Sequence, residues 1–310
     1  MTNLITLKNS SNWNLKSVWG KWASLIKIKK TWIPVPDFFI ISTDIFEKFI
    51  REILISWDFE KVYNNSSMDY QELNSIYNKI KEKIMETTID KKIEENILNA
   101  IDDLNSDFVA IRSSWILEDG VKNSWAWQLD SHLNISKKET IRYIKECWAS
   151  LFSARSLYYW KKHNINFDKF KVAVIVQKIV ESQISGVIFT VNPISKDTNE
   201  LIIEAWNGLW ESVVSGKVIP DNITVDKRNM KILNYIRSTQ EKWLFVNKSW
   251  WTEWKNIINN NLNKVSQKQV EQLCSIAIKI EKIYKMPCDI EWAIEKEVLY
   301  ILQSRAITTL

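Results

Sequence analysis

Apolar residues recur at helical spacing in some stretches of this chain and at two-residue or unbroken spacing in others, and the two kinds segregate. Helical periodicity predicts helices over 21–30, from 42 through 50, over 70–104, over 138–163 and over 265–284. Ser42-Thr43-Asp44 supplies an N-cap for the second of these. Ile33-Pro34-Val35-Pro36 must break the first, because proline ends a helix and drives its predecessor to extended backbone. Short apolar runs predict strands at 37–41, 108–111, 201–204, 222–225 and 230–233. Residues 172–180 and 186–191 read as a strand pair around a polar turn, and 289–294 with 298–303 as a hairpin. The Asn-, Lys- and Trp-rich stretch 242–263 reads as a loop. Runs of helices separated from runs of strands indicate an α+β fold rather than a βαβ repeat.

Composition changes this picture at one point. The 310 residues include 17 tryptophans and 5 glycines, where average usage gives roughly 22 glycines. Several tryptophans stand where the backbone calls for a residue without a side chain, as in Val18-Trp19-Gly20-Lys21-Trp22 and Gly208-Leu209-Trp210-Glu211. Glycine serves positive φ and close approach to a ligand; an indole is the worst steric substitute. The chain is also rich in Ile, Lys and Asn, the mark of an AT-rich gene. A gene whose UGA codons specify glycine, rendered as tryptophan, gives this pattern.

The net charge of +5 is spread along the chain with no basic stripe, which argues against nucleic acid as a partner. No apolar run is long enough to span a membrane, and residues 1–10 lack the layout of a signal peptide. Cys147, Cys274 and Cys288 are far apart and form no C-x-x-C pair, which fits the reducing cytoplasm.

Lys21 opens a helix, where free N–H groups and the dipole favour phosphate; a structural loop lysine accounts for it equally well. Arg112-Ser113-Ser114 follows a predicted strand, so Arg112 would present its fork to phosphate from a strand end, or pair with Glu118 or Asp119. Ser124-Trp125-Ala126-Trp127-Gln128 is a small-residue loop if Trp127 is glycine. Asp289 and Glu291 share one strand face, as do Gln303 and Arg305. Paired across a hairpin, the four would hold Mg²⁺ between phosphates or form an ion-paired sheet face. His132 and His163 read as packing and helix-end residues.

Together these segments resemble the N-terminal ATP-binding domain shared by phosphoenolpyruvate synthase, pyruvate phosphate dikinase and rifampin phosphotransferase. The family pattern runs GGKG-x-SL, G-x-PVP, VRSS-x-x-ED, S-x-AGQ, CW-x-SLF, Q-x-x-V, SGV-x-FT, GLGE-x-VVSG-x-x-PD, DIEWA and ILQ-x-RPIT. This chain matches in order with Trp19-Gly20-Lys21-Trp22-Ala23-Ser24-Leu25, Arg112-Ser113-Ser114, Cys147-Trp148-Ala149-Ser150-Leu151-Phe152 and Ser185-Gly186-Val187-Ile188-Phe189-Thr190. It continues with Pro220-Asp221, Asp289-Ile290-Glu291-Trp292-Ala293 and Ile301-Leu302-Gln303-Ser304-Arg305, with Ala306 for the usual proline. Trp19, Trp22, Trp32, Trp127 and Trp210 fall on family glycines, whereas Trp148 and Trp292 fall on family tryptophans. Trp115, Trp125, Trp160, Trp250 and Trp251 are assigned to neither class.

The resemblance implies an ATP-grasp fold, with residues 1–180 and 181–310 as two lobes clasping ATP. It implies that Lys21 and Arg112 hold phosphates, that Gln177 and Ile179 line the adenine pocket, and that Glu291 and Gln303 bind Mg²⁺. Arg305 would stabilise the transferring phosphoryl group. The implied enzyme passes phosphate from ATP to a histidine on a swivelling domain, with pyruvate as final acceptor, or the antibiotic in a rifampin phosphotransferase-like protein. The histidine and substrate domains would act in trans or be missing here, leaving this module inactive in isolation. A degenerate, non-catalytic nucleotide-binding or interaction module is the expectation of another class, should the tryptophans be real.

Overall fold

The computed structural model describes residues 4–6, 21–67, 69–115, 131–166, 170–209, 212, 218–246, 252–257 and 263–307. Helices and antiparallel strands are segregated, so the fold is α+β. Contacts divide the chain into two compact units: Met1–Gly20 with Asp37–Ile179, and Lys21–Pro36 with Val180–Leu310. Residues 21–36, assigned to the first lobe from sequence, therefore pack in the second unit. No helix among the described residues is long and apolar enough to cross a membrane.

The first unit is a five-stranded sheet with helices on one face. Its strands are β1 (Leu4–Thr6), β2 (Phe38–Ile41), β3 (Phe108–Trp115), β4 (Ser131–Ser136) and β5 (Val172–Lys178), in the order β1-β2-β5-β3-β4. Alternate residues Phe39, Ile41, Val109, Ile111, Val174 and Val176 turn into the helical layer and form its core. That layer comprises α2 (Thr43–Ser56), α3 (Phe59–Asn65), α4 (Tyr70–Glu86), α5 (Lys91–Asp103), α6 (Thr140–Ser150) and α7 (Ala154–Lys162). The single helices expected over 70–104 and 138–163 are each two. Asp90 caps α5 through Lys92 and Ile93, and Ser153 caps α7 through Ser156. Apolar residues recur at helical spacing on both sides of each cap, so spacing alone does not mark the break.

The second unit opens with α1 (Lys21–Lys29). Its six-stranded sheet has the order β13-β12-β6-β7-β8-β9. These strands are β6 (Ile184–Phe189), β7 (Glu200–Asn207), β8 (Asp221–Asp226), β9 (Lys231–Ile236), β12 (Cys288–Glu295) and β13 (Val298–Ala306). Thus β5 and β6, expected as a pair, belong to different sheets: β5 lies between β2 and β3, and β6 between β12 and β7. The stretch expected as a loop contains a hairpin, β10 (Lys242–Val246) with β11 (Thr252–Asn256). The helix α8 (Gln267–Tyr284) starts at a Ser266–Gln269 capping box and packs on β12.

Two glycines are dictated by close approach. A Cβ on Gly186 would lie 2.3 Å from the ring of Trp292 and 2.0 Å from the carbonyl oxygen of Glu204. Gly208 has φ +98° and passes so near Leu244 that a Cβ would meet its carbonyl at 2.4 Å.

The described tryptophans separate by environment. Trp148, Trp160, Trp206 and Trp292 are fully buried. Trp148 packs against Phe49 at 4.7 Å between ring centroids, and Trp160 against Phe170 at 3.6 Å. Trp32 is 95% exposed and holds φ +63° in the turn that ends α1, the left-handed conformation suited to glycine at a helix C-terminus. Holding a side chain there costs about 1–2 kcal/mol, more than the roughly 0.4–1 kcal/mol by which glycine loosens the unfolded chain. Denaturant unfolding should therefore show Trp32→Gly raising stability by up to about 1 kcal/mol, while Trp148→Gly loses about 3–5 kcal/mol. Loss of stability at residue 32 would contradict this sorting.

Candidate functional site

The predicted C-terminal residues meet as the alternation of β12 and β13 requires. Asp289 lies opposite Arg305, and Glu291 opposite Gln303. Arg305 Nε donates to Asp289 Oδ2 at 2.6 Å, and Gln303 Nε2 donates to Glu291 Oε1 at 3.0 Å. Asp289 and Gln303 are buried; about half of the Arg305 side chain is exposed. An ion pair on this face thus coexists with a carboxylate–amide pair one row away. Immediately beyond the second pair the register slips: Trp292 lies opposite Ile301, leaving Leu302 as the extra residue of a bulge. Leu302 packs against Val180 and Ala293. The bulge lets Ile301 stand opposite Trp292 on the α8 side of the sheet while Gln303 and Arg305 stay on the other.

That polar face continues across the sheet. Glu291 is opposite Val187 of β6, which is opposite Glu204 of β7, then Asn222 of β8. Glu204 did not emerge from the sequence as a site residue; its signal was a lone acid in the apolar run Leu201-Ile202-Ile203-Glu204-Ala205. It is half-buried and shows no ion pair or hydrogen bond to its carboxylate among the described residues. Desolvation by burial pushes its carboxyl above the usual range.

In the first unit, β3 runs on through Trp115, so Arg112 lies mid-strand rather than at the strand end. Only the apolar run 108–111 was legible as strand, because Arg112-Ser113-Ser114 has the composition of a turn. Arg112 is buried, opposite Ile175 of β5 on one side and Ser131 of β4 on the other. Gln177 lies opposite Ala110 and Phe38, which puts it on the same face as Arg112. This is the face turned away from the helical layer. Gln177 is 2% exposed, and its Nε2 has no hydrogen-bond partner among the described residues. Ile179 follows β5 as the last residue of the first unit.

Lys21 is the first residue of α1, in the second unit. Trp19, Glu118, Asp119, Trp127 and Trp210 lie outside the described residues. His163 ends α7 as its C-cap, and the half-buried His132 packs at a tilt against Tyr143, 4.8 Å between ring centroids. A cavity of about 570 Å³ in the second unit is lined by Val218, Ile219, Thr239, Gln240, Lys242 and Trp254 among others, and holds none of the predicted site residues.

Burial of Glu204 makes a pH prediction. Its folded pKa is raised, so the native state is favoured by the protonated form, and this advantage fades as pH rises through the folded value. Glu204→Gln should raise the thermal midpoint at pH 7, with the gain closing as pH falls toward the ordinary glutamate range near about 4.3. An equal gain at pH 7 and pH 4, or none at pH 7, would show that the carboxylate is not penalised.

Residues 15–310 match the family model described as "Pyruvate phosphate dikinase, AMP/ATP-binding domain". The chain is 35% identical over 318 residues to the probable phosphoenolpyruvate synthase of Methanocaldococcus jannaschii, covering 98% of this chain and 26% of that protein. It is 35% identical over 301 residues to the probable phosphoenolpyruvate synthase of Methanothermobacter thermautotrophicus, covering 94% and 44%. The rifampicin phosphotransferase of Bacillus cereus is 32% identical over 286 residues, covering 90% and 32%. The chain therefore spans between 26% and 44% of the length of these relatives. Among solved structures, D-alanyl-alanine synthetase A from Vibrio cholerae overlaps 93% of this chain and 55% of its own at TM-score 0.39 and 8% identity, too loosely to bear on the fold. A family match running from residue 15 to residue 310, with the paired rows of β12 and β13 inside it, settles the assignment: the chain belongs to the pyruvate phosphate dikinase AMP/ATP-binding domain family.

Proposed function

We propose that this chain is an ATP-grasp module that binds Mg²⁺-ATP and phosphorylates a histidine on a swivelling domain, with pyruvate as the final acceptor. The observation that carries the reading is the Glu291–Gln303 pair beside the Asp289–Arg305 pair on one sheet face. Mg²⁺ takes oxygen ligands and is usually held by one or two protein groups together with substrate phosphates. The donor set fits: Gln303 spends its amide nitrogen on Glu291, which leaves its carbonyl oxygen as a ligand beside the carboxylate. Among the described residues, no group of three or more His, Cys, Asp or Glu side chains could hold a metal by itself. Bound Mg²⁺ would supply neutralising charge on the phosphates.

The residues divide the remaining work by chemistry. Phosphoryl transfer loads negative charge on the moving group and the leaving oxygen, so fixed cations are the main catalytic device. Arg305, oriented through its Nε by Asp289, would set its guanidinium charge against that developing charge. Arg112 and Lys21 would grip the non-transferred phosphates. The orphaned amide nitrogen of Gln177, with Ile179 two residues on, suits the edge of an adenine ring. The separate, buried, free thiols support a cytoplasmic setting; burial pushes those of Cys274 and Cys288 up to about 12.

Phosphoenolpyruvate synthase-like chemistry is favoured by the names of the relatives, and the rifampicin phosphotransferase match keeps an antibiotic acceptor as the second reading. The left-handed backbone of Trp32 supports glycine at the family's glycine positions and weighs against a degenerate module. The chain carrying glycine at 19, 22, 32, 127 and 210 should bind ATP in a Mg²⁺-dependent manner by calorimetry. Glu291→Gln should remove most of the Mg²⁺ dependence, whereas Arg305→Ala should leave ATP binding within a few-fold and slow phosphoryl transfer by about 10²–10³. No ATP binding by the glycine form would defeat the proposal.

A further inference from the structure

Beside Arg112 lies a second unsatisfied polar group. Ser114 sits two residues further along β3, opposite Ala173 of β5, on the face that carries Arg112, Ala110, Ile175 and Gln177. It is 3% exposed, and its hydroxyl has no hydrogen-bond partner among the described residues. Leaving a buried hydroxyl unpaired is unfavourable, and native structures rarely tolerate it without a reason. Two orphaned polar atoms thus flank one buried arginine: the Gln177 amide in the row before it and the Ser114 hydroxyl in the row after. At 3.2–3.4 Å per residue, those outer rows are about 13 Å apart along the strands. An elongated ligand with a hydrogen-bonding ring at one end and anionic oxygens toward the other would satisfy all three.

We infer that the Ser114 hydroxyl donates a hydrogen bond to a β- or γ-phosphate oxygen of the nucleotide gripped by Arg112. This rests on the nucleotide reading above and adds a polarity to it: base toward Gln177, outer phosphates toward Ser114. The role differs from that of a packing serine in sign. A packing serine contributes to the folded state. A serine held unsatisfied for a ligand is replaced by alanine with a gain in stability, since the orphaned group disappears at nearly constant shape.

The test uses the glycine form of the whole chain, with Ser114→Ala and Ser114→Thr, and titrates ATP, ADP and AMP with Mg²⁺ present. Ser114→Ala should weaken ATP binding by about tenfold or more, as expected for a hydrogen bond to a charged group. AMP, lacking the outer phosphates, should bind as to the parent, and the thermal midpoint of the ligand-free protein should rise or hold. Ser114→Thr should restore ATP affinity. Parent-like ATP binding by Ser114→Ala, or equal losses for AMP and ATP with a lowered midpoint, would overturn the inference while leaving the nucleotide reading intact. A parent that binds no nucleotide would overturn both.

Discussion

The second unit depends on a contact between two motifs far apart in the chain: the indole of Trp292 lying over Gly186. Any side chain at residue 186 would strike the ring and the neighbouring Glu204 carbonyl, so β6, β7 and β12 assemble only around a missing Cβ. With Trp292 fixed on the α8 side, Glu291 must point to the other side, and the bulge at Leu302 brings Gln303 and Arg305 to that side as well. The placement of the candidate magnesium ligands thus follows from packing on the opposite face.

How much of this was legible in the sequence varied with the range of the interaction. The β12–β13 hairpin was readable because its strands are adjacent, amphipathic and joined by Lys296-Glu297, and the two-residue repeat alone places Asp289 with Glu291 and Gln303 with Arg305. The partition of β5 and β6 into separate sheets was not, because two neighbouring apolar runs around a polar turn look the same whether they pair or part. Arg112-Ser113-Ser114 was read as a strand end because polar residues mid-strand mimic a turn; register with β5 was needed to place them on a sheet face. The β10–β11 hairpin was missed for the related reason that its charged, partly exposed strands carry little apolar signal. The bulge at Leu302 has no one-dimensional signature, and Glu204 gains its significance only from the strands on either side of it.

The tryptophans give the least ordinary result. Trp148, Trp160, Trp206 and Trp292 fill volume that the core needs filled. Trp32 fills nothing and holds a backbone angle that favours glycine. Two of the buried set, Trp148 and Trp292, are family tryptophans, and Trp32 stands on a family glycine, so structure and motif agree wherever both speak. The same motif logic extends to Trp19, Trp22, Trp127 and Trp210, which also stand on family glycines. The nucleotide reading therefore stands on the chemical identity of these residues in the native protein.

Tandem mass spectrometry of the protein from its own host decides that identity directly, over peptides containing residues 19, 22, 32, 127 and 210, with 148 and 292 as internal controls. Glycine at the first five and tryptophan at both controls is the result this account predicts, and it would restore the family's glycine pattern in the native protein. Tryptophan at all seven would contradict it, because the chain would then carry indoles at the positions where the family has glycine.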